Sequence, residues 1–121
     1  MVKLLINPTI IKAVGNKPKI IEEFFGKVNS KSDEVSIAKM KSPQGWIEPG
    51  QCPEFDEYTV VINGCLHVET KEEAFDVNKG QAILTTKNEW IKYSSPYEEG
   101  AEYISVCIPA FSPDTVNRDD I

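Results

Sequence analysis

Residues 57–68 read Glu-Tyr-Thr-Val-Val-Ile-Asn-Gly-Cys-Leu-His-Val, and this stretch is the most informative about the fold. Two runs of β-branched and apolar residues, each typical of a strand, flank Asn63-Gly64. Asn-Gly between such runs is the strongest short-range hairpin signal, because a type I′ turn requires positive φ at both central residues. The stretch therefore predicts two antiparallel strands joined by a tight turn at Asn63-Gly64.

Further strand patterns extend on both sides of this hairpin. A second hairpin is predicted to turn through Lys71-Glu72. Short strands separated by turn signals are typical of an antiparallel β-sandwich or barrel of the jelly-roll kind. The predicted strands are 35–40, 46–48, 58–62, 66–69, 74–77, 82–85, 90–93 and 103–108.

One helix is predicted before the strands. From Lys17 to Gly26 the apolar pairs Ile20-Ile21 and Phe24-Phe25 recur four residues apart, which places them on one helical face. Pro18 suits a first helical turn, and Gly26 suits an end. We expect a short helix that packs on the barrel.

The length and composition predict one domain, 1–121, because 121 residues with 40% hydrophobic side chains suffice for a single core. It divides into an N-terminal arm and helix, 1–34, a barrel, 35–109, and a polar tail, 110–121. The tail either wraps the barrel or crosses to a second subunit.

The charge and the cysteines limit the classes of partner. Nineteen acidic against 13 basic residues give a net charge of -6, which disfavours nucleic acid and anionic membranes. The apolar run at the N-terminus is too short for a signal sequence, so we expect a cytoplasmic protein. Three cysteines, Cys52, Cys65 and Cys107, form no paired framework and are expected as free thiols.

The segment from Glu57 to Gly64 resembles the end of the first conserved motif of the cupin superfamily, G-x5-H-x-H-x3,4-E-x6-G, whose two His and Glu hold a metal. Glu and Gly are present here, but both His are missing. Only six residues, Gln51 to Asp56, separate Gly50 from Glu57. This shortened motif is most similar to the cupins of the ethanolamine-utilisation type, which also lack the His pair.

The second cupin motif, G-x5-P-x-G-x2-H-x3-N, can be aligned from Gly80. Its remaining positions then fall on Thr86, Asn88, Ile91 and Ser95. Asn88 can replace a glycine because Asn tolerates left-handed backbone conformations. Ile91 replaces the last His and cannot coordinate a metal. The resemblance implies an all-β cupin barrel with a pocket at its mouth, a homodimer, and no usual His-based metal site.

Strand alternation selects candidate pocket residues. Side chains alternate across a strand, so Glu57, Thr59 and Val61 share one face. If the resemblance places Glu57 inside the barrel, Thr59 lies there with it, and Gln51 and Glu54 can reach the same mouth. The remaining candidates for an acidic and aromatic pocket are Ile91, Tyr93, Trp46, Tyr103 and Trp90.

Glu57 and Glu54 are the candidate catalytic pair. A buried carboxyl group beside a second one has a raised pKa and can act as a general acid or base. The alternative is a structural Glu57, satisfied by backbone N–H groups or by Lys39 or Lys92. His67 lies between the inward residues Leu66 and Val68, which predicts an outward side chain rather than a ligand.

Three functions remain open at this level. The first is a small-molecule pocket without a metal, either a binding module or an isomerase- or lyase-type enzyme. The second is a metalloenzyme with an atypical ligand set of Gln51, Glu54, Glu57 and Cys52, which would suit Mn, Mg or Ca. The third is a structural or interaction subunit that has lost its chemistry.

Overall fold

The structure is a computed structural model that describes residues 2–120, and all regular secondary structure in that range is β. The order along the chain is β1 (Thr9–Ile11), β2 (Ile20–Phe25), β3 (Ser36–Ser42), β4 (Trp46–Ile47), β5 (Asp56–Thr70), β6 (Ala74–Asn78), β7 (Ala82–Thr85), β8 (Ile91–Ser95) and β9 (Ala101–Ile108). The all-β prediction is confirmed.

Two antiparallel sheets share the long strand β5. Its first half pairs with β7 and β9, and that sheet continues through β3 and β2 to β1. Its second half pairs with β6 and β8, and β8 pairs with β4. The sheets thus form the curled, jelly-roll barrel expected from the spacing of the strands.

The predicted helix at 17–26 is wrong, since this segment contains β2 instead. Glu22 pairs with Ile10 of β1 and with Lys39 of β3, so the sheet supplies the backbone hydrogen bonds on both sides. The doublets of β-branched and aromatic residues that fit a helical face also have high strand propensity. Pairing with β1 and β3 therefore stabilises the strand conformation over the helix.

The hairpin predicted at Asn63-Gly64 is also wrong. β5 continues through both residues, which pair with Glu102 and Ala101 of β9 after a shift of register between Val61 and Asn63. Gly64 does have positive φ, +73°. This conformation belongs to a β-bulge, and the bulge allows β5 to continue from one sheet into the other. The second predicted hairpin is confirmed, because the Thr70 N–H donates to the Glu73 carbonyl at 2.8 Å.

The core lies between the two sheets. Trp46, Leu66 and Val68 are completely buried in its main cluster, and Val61 and Ile91 are nearly so. The C-terminal segment covers a second cluster that joins Phe55, Cys107 and Val116. The tail was expected either to wrap the barrel or to cross to a second subunit. In the structure it packs on its own barrel.

No helix within residues 2–120 is long and apolar enough to cross a membrane.

Candidate functional site

A cavity of about 250 Å³ lies between the first sheet, which contains β1, β2, β3 and β9, and a side formed by Tyr93 of β8, the segment between β4 and β5, and the C-terminal tail. Its apolar wall includes Ile11, Ile21, Met40 and Phe111. Its polar lining includes Lys19, Glu48, Gln51, Glu57, Tyr93, Tyr103, Ser105, Cys107 and Arg118. Acids, cations and hydroxyl groups therefore meet at one apolar wall.

Glu57 reaches this cavity because of the alternation along β5. Glu57, Thr59 and Val61 are buried, whereas Tyr58 and Val60 between them are exposed. The predicted inward face of the strand is confirmed. The Tyr93 hydroxyl donates to Glu57 Oε1 at 3.4 Å, and Thr85 lies 2.9 Å from the same hydroxyl.

The carboxyl group of Glu57 has an unusual protonation equilibrium. Burial raises its pKa to about 7, and the charge of Glu48 adds to the increase. Lys19, Ser105 and Tyr93 oppose the rise without cancelling it. Near neutral pH the group therefore exists in both protonation states, which a proton-transfer group requires.

The carboxylate that acts on Glu57 in the cavity is Glu48, not Glu54. Glu54 is exposed, and its carboxylate accepts a hydrogen bond from Asn117 Nδ2 at 3.0 Å. Glu48 is 8% exposed, and burial raises its pKa against the opposing charges of Lys19 and Arg118. The prediction that Glu54 lies beside Glu57 is wrong, because Glu54 lies on the outward side of the segment that enters β5.

Lys19 is the cation that faces these acids. Its Nζ lies 4.1 Å from the Trp46 ring centroid and 5.1 Å from that of Tyr103. Burial alone would lower the pKa of Lys19, but Tyr103, Glu48 and Glu57 outweigh it and hold the pKa above its ordinary value. The ammonium group is therefore charged at neutral pH. Lys39, considered as a partner of Glu57, instead pairs with Glu102 at 3.0 Å.

The other predicted pocket residues divide into two groups. Gln51, Tyr93 and Tyr103 line the cavity. Thr59, Trp46 and Ile91 are buried in the core around it and do not line it. The sequence predicts an acidic and aromatic pocket, but the cavity has side chains of both charges.

Two further candidates lie away from the cavity. Trp90 donates its indole N–H to Asp119 Oδ2 at 2.9 Å, and it does not line the cavity. His67 Nδ1 lies 2.7 Å from Asp76 Oδ1 on the second sheet. Its place outside the cavity agrees with the outward orientation predicted for it.

Three residues of the cavity, Lys19, Glu48 and Arg118, are not among those predicted from the sequence. Glu48 could have been found, because it lies two residues after Trp46 and alternation places both on one face. Lys19 was not a candidate because its segment was predicted to be a helix outside the barrel. Arg118 follows no pattern, since it belongs to the irregular tail.

The usual metal centre of the cupin fold does not fit these residues. Ile91 is buried in the core at the position of the last His, and Glu54 of the atypical set lies outside the cavity. Within residues 2–120, no three His, Cys, Asp or Glu side chains are grouped to hold a metal ion. Of the atypical set, Gln51 and Glu57 line the cavity, whereas Cys52 and Glu54 do not.

Comparison with solved structures identifies the fold. The chain is similar over its full length to the polyketide cyclase RemF of Streptomyces resistomycificus, with 13% identity, 87% of that chain covered and a TM-score of 0.77. It is similar over 78% of its length to the EutQ protein of Clostridium difficile, with 22% identity, 66% of that chain covered and a TM-score of 0.63.

The chain therefore has the cupin fold, as the motif resemblance predicted. Within that fold it resembles the EutQ-type cupins. No protein-family model matches the chain.

One curated relative was also found. The chain is 35% identical over 101 residues to the endoribonuclease YbeY of Myxococcus xanthus. The match covers 84% of this chain but only 34% of that protein, so the chain spans about a third of the relative's length.

Proposed function

We propose that this chain is a small-molecule-binding cupin barrel in which Glu57 transfers protons, as in an isomerase or lyase. The observation that carries the proposal is the buried Glu57 carboxyl group, which faces the cavity with a pKa of about 7. A group that titrates near the working pH serves as base in one step and as acid in the next. A subunit without chemistry has no need of such a group, because isolating a carboxyl group from water destabilises its charged form.

The chemistry proposed is proton transfer at a carbon atom beside a carbonyl. The Glu57 carboxylate takes the C–H proton, and the electron pair of that bond moves towards the carbonyl oxygen. The Lys19 ammonium group is the cation available to stabilise the negative charge that develops there. Protonated Glu57 then returns its proton to the same or a neighbouring carbon, or to a leaving group.

The proposal concerns this domain alone. The endoribonuclease activity named for the Myxococcus relative belongs to a protein three times as long as the match, and we do not assign it to this chain. The proposed steps use only side chains that line the cavity. The cavity also favours a ligand smaller than a typical drug, which needs about 300 to 1,000 Å³.

Hydrogen exchange at carbon tests the proposal directly. Pyruvate and hydroxyacetone in D₂O would be followed by NMR with the wild-type protein, Glu57→Gln and the matched control Glu54→Gln. We expect the wild type and Glu54→Gln to accelerate loss of the C–H signal, with a rate that rises through pH 7. Glu57→Gln should lower the rate by about 100-fold or more. Equal rates in wild type and Glu57→Gln would refute the role of Glu57.

A further inference from the structure

Two buried polar atoms of residues that line the cavity have no hydrogen-bond partner. Within residues 2–120 these are Gln51 Oε1 and Arg118 Nε, and both side chains line the same cavity. Gln51 is only 4% exposed. Buried polar groups in native proteins are nearly always paired, because an unpaired group has lost its hydrogen bonds to water without a replacement. Because both residues line one cavity, a ligand held there is the available partner for the two groups.

The backbone holds these two residues side by side. Gln51 forms antiparallel bridges both to Ile91 and to Arg118. Hydrogen bonds on either side, Cys52 N–H to Asn117 O at 3.1 Å and Asp119 N–H to Gly50 O at 2.8 Å, fix the tail against this segment. The position of Arg118 therefore does not depend on its side chain finding a partner within the protein.

The unpaired atoms have opposite requirements. Arg118 Nε–H is a donor and needs an acceptor, whereas Gln51 Oε1 is an acceptor and needs a donor. A guanidinium group prefers a carboxylate, because its planar donors match the two oxygens and its charge is compensated. A hydroxyl group on the neighbouring carbon could donate to Gln51.

The charges of the cavity agree with an anionic ligand. Three cations, Lys12, Lys19 and Arg118, line it together with the acids Glu23, Glu48 and Glu57. The carboxylate of Glu23 is already bound by the backbone N–H groups of Val28 and Asn29, at 3.1 and 2.7 Å. Because Glu57 is partly protonated at neutral pH, the acids do not outweigh the cations.

We propose that Arg118 and Gln51 form the recognition site for a small 2-hydroxycarboxylate, whose carboxylate binds Arg118 and whose hydroxyl donates to Gln51. The remainder of the ligand lies against the apolar wall of Ile11, Ile21 and Met40. This inference rests on the proposed function, since it names the substrate class of the same cavity. It adds that recognition depends on the C-terminal segment, which carries the only arginine of the sequence.

Two matched ligand series test the inference by isothermal titration calorimetry. The first is lactate, propionate and lactamide, and the second is mandelate, phenylacetate and mandelamide. Within each series the second compound lacks the hydroxyl group and the third lacks the charge. We expect at least one hydroxy acid to bind, and each of its two analogues to bind at least about tenfold more weakly. Binding of neither hydroxy acid, or a bound hydroxy acid whose two analogues bind equally well, would overturn the inference.

Variants then assign the two contacts. Arg118→Lys keeps the charge but removes Nε–H, and Gln51→Leu removes the acceptor. Each should weaken the bound hydroxy acid at least about tenfold, whereas the exposed control Lys79→Gln should leave its affinity unchanged. Gln51→Leu should weaken binding of the hydroxy acid but not of the analogue that lacks the hydroxyl group. A hydroxy acid that binds both variants as tightly as the wild type contradicts the assignment.

The two proposals fail in distinguishable ways. If hydroxy acids bind through Arg118 but no exchange depends on Glu57, the recognition site stands and proton transfer by Glu57 is refuted. If exchange depends on Glu57 but no hydroxy acid binds, Glu57 keeps its role and the recognition site is refuted.

Discussion

The carbonyl oxygen of Gly100 occupies the space that a side chain at Gly64 would need. Gly100 O accepts a hydrogen bond from the Cys65 N–H at 3.0 Å, which draws it over the neighbouring Gly64. A Cβ atom built on Gly64 would overlap this oxygen, and the φ of +73° is itself unfavourable for any residue with a side chain. The passage of β5 between the sheets thus depends on a glycine at 64.

Gly64→Ala should therefore destabilise the protein by more than the strain of its backbone angle. We expect a loss on the order of 3 kcal/mol, measured by urea denaturation, because the β5–β9 pairing must also shift. Gly80→Ala is the matched control, since φ is +83° there but nothing lies within 4 Å of a new Cβ. It should cost only about 1 to 2 kcal/mol. Equal losses in the two variants would show that the contact with Gly100 is unimportant.

Local sequence patterns were enough to predict the barrel. The predictions were wrong where pairing with strands distant in the sequence determined the local conformation. The alternation along β5 identified Glu57, Thr59 and Val61 correctly, because period-two burial is a property of the strand itself. Asn63-Gly64 carried the right conformational signal, positive φ at Gly64, but pairing with β9 made it a bulge instead of a turn. At Asn88, the positive φ of 68° agrees with its place in the second cupin motif.

The candidate site was only partly predictable for the same reason. Gln51 and Glu57 do meet in one cavity, as their positions near the shortened motif suggested. Lys19 comes from the segment before β2 and Arg118 from the tail, and both reach the cavity only through tertiary pairing. No sequence spacing connects these distant segments with Glu57.

The expected homodimer remains a prediction, and the outer face of the first sheet is the surface on which to test it. Tyr58, Val60, Leu84 and Ile108 are each more than 40% exposed there. If this face forms the dimer, Val60→Glu should give a monomer in size-exclusion chromatography with light scattering, because it places charge in an apolar interface. Ile47→Glu, which alters an exposed side chain on the other sheet, should remain dimeric. A monomeric wild type would exclude this assembly.

The metal content is a separate prediction. Because Ile91 replaces the usual His and Glu54 lies outside the cavity, protein purified without chelator should carry well below one equivalent of transition metal. Inductively coupled plasma mass spectrometry would measure it. A stoichiometric metal that is lost in Glu57→Gln but kept in Glu54→Gln would place a metal at Glu57 and replace the proton-transfer mechanism.

The last prediction concerns the pH dependence of stability. The pKa of Glu57 is raised from 4.5 to about 7 by burial and by Glu48. Between these two values the folded state binds more protons than the unfolded state, so the free energy of unfolding must fall as the pH rises. The stabilisation is complete below pH 4.5 and is lost once the pH has risen through about 7.

Glu57→Gln removes this titration while preserving shape and an acceptor for the Tyr93 hydroxyl. Relative to the wild type it should gain stability as the pH rises from 4.5 to 8, by up to about 3 kcal/mol for a shift of this size. Urea denaturation at each pH would measure the difference, and Glu54→Gln should keep the wild-type fall. The opposite result is a Glu57→Gln variant that is less stable than the wild type at pH 8, with a stability difference that does not change in its favour as the pH rises. That result would make the carboxylate a charged structural anchor. Its role in proton transfer would then have to be abandoned.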